Sequence, residues 1–278
     1  MRAGAVIAVV GLRPARLERR VLALSADATT PAAVARYLSA RGFARSTLHV
    51  LEALGGPRER VRSTTADRFG FNDVEALNLI AIEVEASPGA KIIPLVSGLP
   101  DEMFEHDGQI TKREIRAVTL SSLRPGAGEL LWDIGCGSGS IAIEWLLRHH
   151  ANHAIGIERD PLRAARAARN AAELGVPLLE VVTGEAQATL DKLPTPDAIF
   201  IGGGGEPALI DKAYAALKPG GRIVANAITL DTETAVLAAQ SRFGGMLTRL
   251  SVERLDAVGG KQAFRSAMTV TQWSASKP

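Results

Sequence analysis

The segment that most constrains this 278-residue chain is short. A strand-like run, Glu129–Ile134, leads without a break into Gly135-Cys136-Gly137-Ser138-Gly139, and a helix-patterned stretch, Ser138–Arg148, follows at once. A glycine-rich turn between a parallel strand and a helix brings the backbone close to a ligand and points helix N-terminal amides at it. Around this joint, strand and helix alternate. Glu114–Leu123 reads as a helix ending before the turn Pro125-Gly126. Ala154–Glu158, Leu179–Val182, Asp197–Ile201 and Ile223–Ala227 read as strands. Helices are predicted from Pro161, capped by Asp160 and ended by Gly175, then near Pro207–Leu217 and Thr232–Phe243. Five strands joined by helical crossovers predict a parallel, doubly wound sheet. The last two predicted strands, Leu247–Arg254 and Phe264–Thr271, have no helix between them and predict a terminal antiparallel hairpin.

Glycine spacing separates the ligands such a sheet can take. A dinucleotide fingerprint needs glycine at position 140, where the chain has Ser140. Here glycines stand at 135, 137 and 139, with Asp133 two residues ahead of the first. This D-x-G-x-G-x-G pattern resembles motif I of the class I S-adenosylmethionine-dependent methyltransferases. Glu158 ends the second strand, where a carboxylate accepts both ribose hydroxyls, a role that suits NAD equally; the terminal hairpin favours the methyltransferase sheet. Gly184-Glu185-Ala186 follows the third strand, where this fold packs backbone and an acidic side chain around adenine. After the fourth strand the chain has Gly202-Gly203-Gly204-Gly205 in place of the Asn/Asp-Pro-Pro-aromatic box of amino-methylating enzymes. That replacement argues against nucleobase or glutamine methylation and leaves room at Gly203 and Gly204 for a bulky substrate.

The N-terminal stretch reads as a smaller, partial α/β lobe. Ala5–Val10, Val21–Leu24, Ser46–Leu51 and Leu77–Val84 have strand length, the last nearly continuous in apolar residues, as a strand covered on both faces is. Thr30-Pro31 predicts a hydroxyl cap and first-turn proline for a helix Ala32–Arg41, stopped by Gly42. From Ser87 to Gly108 the periodicity gives way to three prolines and three glycines, and the stretch reads as a linker with an ordered tail. The expected organisation is therefore 1–88, a linker 89–108, and 109–278.

Composition narrows the function classes. Lys+Arg 32 against Asp+Glu 30 leaves a net charge of +2, too balanced for a nucleic-acid partner. No apolar run reaches the roughly 20 residues of a membrane span. Arginines follow the apolar stretch Ala3–Leu12, which reads as a buried strand and not a signal peptide. With Cys136 as its one cysteine the chain forms no internal disulfide, and a cytoplasmic location is expected. Cys136 reads as a small filler. His149, His150 and His153 lack the cysteine or carboxylate neighbours of a metal site, so no metal is expected. Arg163, Arg166 and Arg169 read as a solvated stripe.

The segment Pro100-Asp101-Glu102-Met103-Phe104-Glu105-His106-Asp107-Gly108-Gln109-Ile110-Thr111-Lys112-Arg113-Glu114-Ile115-Arg116, the D-I-G-C-G-S-G loop and Gly202–Gly205 together carry a more specific likeness. Residues 95–272 resemble the C-terminal half of the precorrin-6Y C5,15-methyltransferases (decarboxylating) of cobalamin biosynthesis. That half is itself similar to the stand-alone carbon-15 methylases that remove a carboxyl group. The resemblance implies a class I methyltransferase Rossmann-like sheet and S-adenosylmethionine as cofactor, contacted by Thr111, Asp133, Gly135, Cys136, Gly137, Ser138, Gly139, Glu158, Glu185 and Ala186. It implies methyl addition to carbon 15 of a precorrin, an anionic tetrapyrrole, with loss of CO2 from the ring C acetate. Lys112, Arg116, Lys261 and Arg265 flank the leading helix and final hairpin and are the candidates for its carboxylates. Relatives of this half assemble as homotetramers, so a homo-oligomer is expected.

Leu24–Pro31, Leu54–Pro57 and Leu77–Glu83 resemble the second half of a carbon-5 tetrapyrrole methylase domain. Val9–Pro14 is only faintly similar to that domain's glycine loop and lacks its glycines, so carbon-5 methylation is not expected of this chain. Two rival readings remain: a methyltransferase acting on RNA or protein, and a cofactor-binding scaffold for pathway enzymes.

Overall fold

A computed structural model of the chain describes residues 19–203 and 205–278, which divide into two units between Leu95 and Val96. The predicted strand Ala5–Val10 and the Val9–Pro14 segment lie outside the described residues.

Among the described residues of the first unit, alternating burial builds one antiparallel sheet with one α-helix on it. Its elements are β1 (Arg19–Leu24), α1 (Thr30–Ala40), β2 (Thr47–Glu52), β3 (Arg60–Thr65) and β4 (Asn78–Val84), and the strand order is β1-β4-β2-β3. Val34, Ala35 and Leu38 of α1 pack on Leu48, Ile80 and Ile82. β4 alternates: Ile80, Ile82 and Val84 are buried, while Glu83 is exposed and Leu79 and Ala81 are half-buried. The expectation of a strand covered on both faces is thus corrected. The cap of α1 also differs. The Asp27 carboxylate accepts the Thr29 and Thr30 backbone N–H groups at 2.8 and 3.1 Å, and Thr30 is the first helical residue. β3 was not expected, because its sequence RVRSTT is polar. Arg60 and Arg62 both donate to the fully buried Glu52 of β2 and to Asp73, so ion pairs fix the strand. Burial alone raises the Glu52 carboxyl, but the two guanidiniums bring it down to about 2.

The second unit comprises α2 (Arg113–Leu123), β5 (Leu130–Ile134), α3 (Ser140–Leu146), β6 (His153–Glu158), α4 (Pro161–Glu173), β7 (Glu180–Thr183), α5 (Ala186–Thr189), β8 (Ala198–Ile201), α6 (Pro207–Ala216), β9 (Arg222–Ala227), α7 (Leu230–Phe243), β10 (Met246–Leu250), β11 (Glu253–Val258), β12 (Lys261–Ser266) and β13 (Val270–Ser276). Seven of these strands form a sheet in the order β10-β13-β9-β8-β5-β6-β7. β5 to β9 run parallel, and β13 is antiparallel to both β9 and β10. Trp132, Ile134, Ile199, Ile201 and Ile223 pack against Leu209, Ile210, Ala213, Val236 and Ala239 of α6 and α7. The doubly wound sheet is as expected. Chain direction away from β5 reverses between β6 and β8, so the carboxyl end of β5 is the switch point where such sheets bind ligands.

One feature of this unit corrects the sequence reading. The terminal hairpin is not two strands but four. β10 and β13 pair within the main sheet, and β11 and β12 form a separate two-stranded ribbon between them, fully exposed, with Leu255 opposite Phe264. Gly259 and Gly260 turn the ribbon with φ of 57° and 80°, the positive pair that a two-residue hairpin loop requires. The stretch 89–108 has the ordered tail expected of it. Gly98 and Leu99 donate their backbone N–H groups to the buried Glu144 carboxylate of α3 at 2.7 and 2.8 Å, packing this part into the second unit. Among the described residues, no helix is long and apolar enough to cross a membrane.

Candidate active site

The turn after β5 is built on three left-handed residues: Gly135, Gly137 and Gly139 have φ of 72°, 55° and 76°. Side chains at such angles are strained, which is why the sequence alternates glycine here. A Cβ on Gly135 would lie 3.1–3.3 Å from the backbone of Gly203, so the loops after β5 and β8 meet backbone to backbone. One on Gly139 would lie 3.1 Å from Ala167 of α4. One on Gly137 would meet only the Gln109 carbonyl, at 3.9 Å. The cleft beside Gly137 is therefore bounded by the leading segment, residues 98–112 ahead of α2, and not filled by it.

Charged groups gather beneath and beside this turn. Glu158, at the end of β6, is buried and accepts the Gly137 N–H at 2.9 Å and the Asp160 N–H at 3.0 Å. Gly184 donates its N–H to the Glu158 carbonyl at 2.9 Å, which brings Glu185 and Ala186 alongside the end of β6. Asp133 is almost wholly buried under the loop, where it accepts the Ala142 N–H of α3 at 3.0 Å, and its second oxygen has no partner among the described residues. Burial, with a smaller push from Glu158, raises its carboxyl to about 7. Cys136 turns inward against Gly156, and burial drives its thiol far above the ordinary range, so it stays neutral. The Ser138 hydroxyl is buried without a partner among the described residues. Backbone amides, one free hydroxyl and a carboxylate at the strand end suit a ligand with an anionic or zwitterionic end and a nucleoside hydroxyl pair.

The buried Asp133 predicts a pH effect. Its folded pKa lies above the unfolded value of 3.8. Its contribution to stability is therefore full below about pH 4 and is lost as pH rises through 7. Asp133→Asn should gain stability relative to the parent as pH rises from 4 to 8, by up to about 4 kcal/mol. Denaturant unfolding of both proteins at the two pH values measures this. A constant difference would show that Asp133 is ionised in the fold.

The other predicted positions separate into near and far. Thr111 is half-buried in the leading segment, and Lys112 precedes α2. Gly203 is exposed, while Gly204 lies outside the described residues. Lys261 and Arg265 are exposed on the ribbon, where Arg265 pairs with Asp256 at 3.3 Å. β10 runs parallel to β9, so the ribbon leaves the carboxyl edge of the sheet, the edge that carries the glycine loops. Arg254 ties it to Glu114 at 2.5 Å.

Arg116 is corrected. Its side chain is 0% exposed and its guanidinium is spent inside the unit, on Glu144 at 2.5 Å, Asp101 at 3.1 Å and the carbonyls of Thr111 and Leu99. The arginine stripe is corrected too. Arg163 and Arg166 hold Asp107 at 2.9 and 3.0 Å, and Arg169 holds Glu105 at 2.8 Å, strapping the leading segment to α4. Sequence reasoning missed Asn170, a polar residue on the alanine-lined buried face of α4. The three-residue arginine spacing opposite an acidic 101–107 segment was a signal for the strap.

With this geometry, known proteins are informative. A precorrin-6Y C(5,15)-methyltransferase [decarboxylating] of Sinorhizobium sp is 55% identical over 259 residues, 93% of this chain and 63% of that protein. The chain thus spans under two thirds of that relative's length. A probable cobalt-precorrin-6B C(15)-methyltransferase (decarboxylating) of Saccharolobus solfataricus is 38% identical over 63% of this chain and 90% of its own length. The crystal structure of the C-terminal domain of precorrin-6Y C5,15-methyltransferase from Rhodobacter capsulatus is 43% identical. It covers 66% of this chain and 100% of that one, with a TM-score of 0.63. The family model described as the precorrin methyltransferase domain matches residues 102–277, the stretch holding the leading segment, both glycine loops and the ribbon, and the chain belongs to that family.

Proposed function

We propose that the second unit transfers a methyl group from S-adenosylmethionine to carbon 15 of a precorrin and releases CO2 from the ring C acetate. The observation that carries this reading is the contact of the left-handed glycine turn with the buried Glu158 carboxylate at the switch point of a precorrin methyltransferase sheet. The cofactor supplies an electrophilic methyl group on a sulfonium. Gly135–Gly139 and the Ser138 hydroxyl would hold its amino-acid end and Glu158 its ribose. Glu185 and Ala186 would border its adenine, and Thr111 would face it from the leading segment. Asp133 and Cys136 act on this site through the loop they support.

The protein's own part in catalysis is positioning. Methyl transfer is an in-line displacement, and an electron-rich tetrapyrrole supplies the carbon nucleophile, so alignment is the main demand. Gly203 is exposed and a Cβ there would meet nothing within 4 Å, which leaves the mouth open to a large flat substrate. Lys112, Lys261 and Arg265 would hold its carboxylates. The proposal covers the carbon-15 step, the one named for the Saccharolobus relative, which aligns over nine tenths of its own length. On this reading the enzyme works as a cytoplasmic homo-oligomer.

Incubation of the chain with precorrin-6B and S-adenosylmethionine, followed by mass spectrometry, tests it. The expected product is one methyl group heavier and one carbon dioxide lighter. A product with two new methyl groups, or unchanged substrate beside a cofactor-binding protein, would overturn the assignment.

A further inference from the structure

The Asn170 side chain joins the glycine loop to the segment that crosses it. On α4 it sits among Ala164, Ala167 and Ala171 and is 4% exposed. Its Oδ1 accepts the Glu105 N–H at 2.8 Å, and its Nδ2 donates to the Glu105 carbonyl and to the Ser138 carbonyl, each at 2.9 Å. One amide therefore satisfies both backbone groups of Glu105 and the centre of the loop. Four residues beyond Glu105, the Gln109 carbonyl bounds the cleft at Gly137. The arginine strap grips this segment through the side chains of Glu105 and Asp107, and the Asp107 carboxylate also accepts the Gln109 N–H at 3.1 Å, whereas Asn170 holds the Glu105 backbone itself.

We infer that Asn170 is a positioning residue for the cofactor: its amide fixes the spacing between the loop 135–139 and the segment 105–111. This rests on the proposed S-adenosylmethionine site. The geometry requires both an acceptor, for the Glu105 N–H, and a donor, for two carbonyls. A carboxylate supplies the first and opposes the second, whereas a protonated carboxyl supplies the acceptor and one O–H, enough for one of the two carbonyls. Asn170→Asp should therefore act as a switch that a merely space-filling residue would not show.

Charged and titratable groups around position 170 are present in the parent as well. Arg166 and Arg169 lie on α4, Glu105, His106 and Asp107 on the leading segment, and Cys136 on the glycine loop. Glu105 and Asp107 are held low, chiefly by hydrogen bonds from Arg169 and Arg166 respectively. Taking the ratio of variant to parent removes their contribution.

The test is calorimetric titration of S-adenosylmethionine into the full chain between pH 5.5 and 8.5, for the parent, Asn170→Asp and Asn170→Ala. The expected result is tenfold or more weaker binding by Asn170→Asp at pH 8.5, with about threefold or more of that loss recovered at pH 5.5. Asn170→Ala, which suits an alanine-rich helix face, should be tenfold weaker at every pH, with no recovery. An Asn170→Asp ratio that is constant across pH, or an Asn170→Ala affinity equal to the parent's, would overturn the inference. A parent that binds no S-adenosylmethionine would instead overturn the cofactor assignment beneath it.

Discussion

Gly137→Val should lose S-adenosylmethionine binding while the chain stays folded. Position 137 has a φ of 55°, a region where a β-branched residue is an outlier and where each non-glycine costs about 1–2 kcal/mol. The space its Cβ enters is nearly empty, with the Gln109 carbonyl alone within reach at 3.9 Å, so no core contact is disturbed. What the side chain does disturb is the Gly137 N–H, which points at Glu158, and the cleft beside it. An affinity loss on the order of a hundredfold or more is expected, with a melting temperature changed by a few degrees at most. Calorimetry with S-adenosylmethionine, and with NAD as the control that should give no heat, reads the result. Micromolar affinity retained by a folded Gly137→Val protein would place the cofactor elsewhere. Gly135→Ala sharpens the comparison, because its Cβ would press on the Gly203 backbone at 3.1–3.3 Å and separate the two loops.

What sequence alone could show was whatever neighbouring residues encode. The β5 turn announces itself through alternate glycines because no other residue takes three left-handed angles so cheaply. Asp160 and Pro161 mark the start of α4 as a cap and first-turn proline do, and the Asp160 carboxylate accepts the Leu162 and Arg163 N–H groups. The central parallel strands β5, β6, β8 and β9 are mostly apolar and buried, since both faces of that part of the sheet are covered. By contrast, β3 escaped notice because polar residues secure it: Arg60 and Arg62 find Glu52 across the sheet. The ribbon β11–β12 was merged into its neighbours although Gly259-Gly260 marks its turn. Its strands are exposed on both faces, so no buried stripe separated them from β10 and β13.

The site divides along the same line. Glu158, Gly135 and Gly137 were legible because a strand end and a glycine spacing place them. Asn170 was not, because its partners Glu105 and Ser138 lie 65 and 32 residues away. Arg116 was misread for a related reason. An arginine on a short amphipathic helix ordinarily faces water, and only the arrival of Glu144 from 28 residues further on turns it inward.

That burial makes Arg116→Met the substitution with the largest expected effect on stability. The guanidinium and the Glu144 carboxylate are both 0% exposed and 2.5 Å apart. Glu144 also carries the Gly98 and Leu99 N–H groups, so one carboxylate anchors α2 and the start of the leading segment together. Methionine matches the length of the stem but leaves Glu144 charged and buried, Asp101 without its 3.1 Å partner, and the Thr111 and Leu99 carbonyls without a donor. Removing one member of a buried pair costs about 3–5 kcal/mol, and the melting temperature of the second unit should fall by about 10 °C. Adding Glu144→Gln to Arg116→Met removes the stranded charge and keeps one acceptor for Gly98 or Leu99. The double variant should therefore recover part of the loss, with a coupling of at least about 1 kcal/mol in a double-mutant cycle. Thermal and denaturant unfolding measure the cycle. A substrate-binding arginine predicts the opposite pattern: Arg116→Met would leave the melting temperature in place, raise KM for the precorrin and show no coupling to Glu144. Unaltered stability in Arg116→Met would return this residue to the rim of the substrate site.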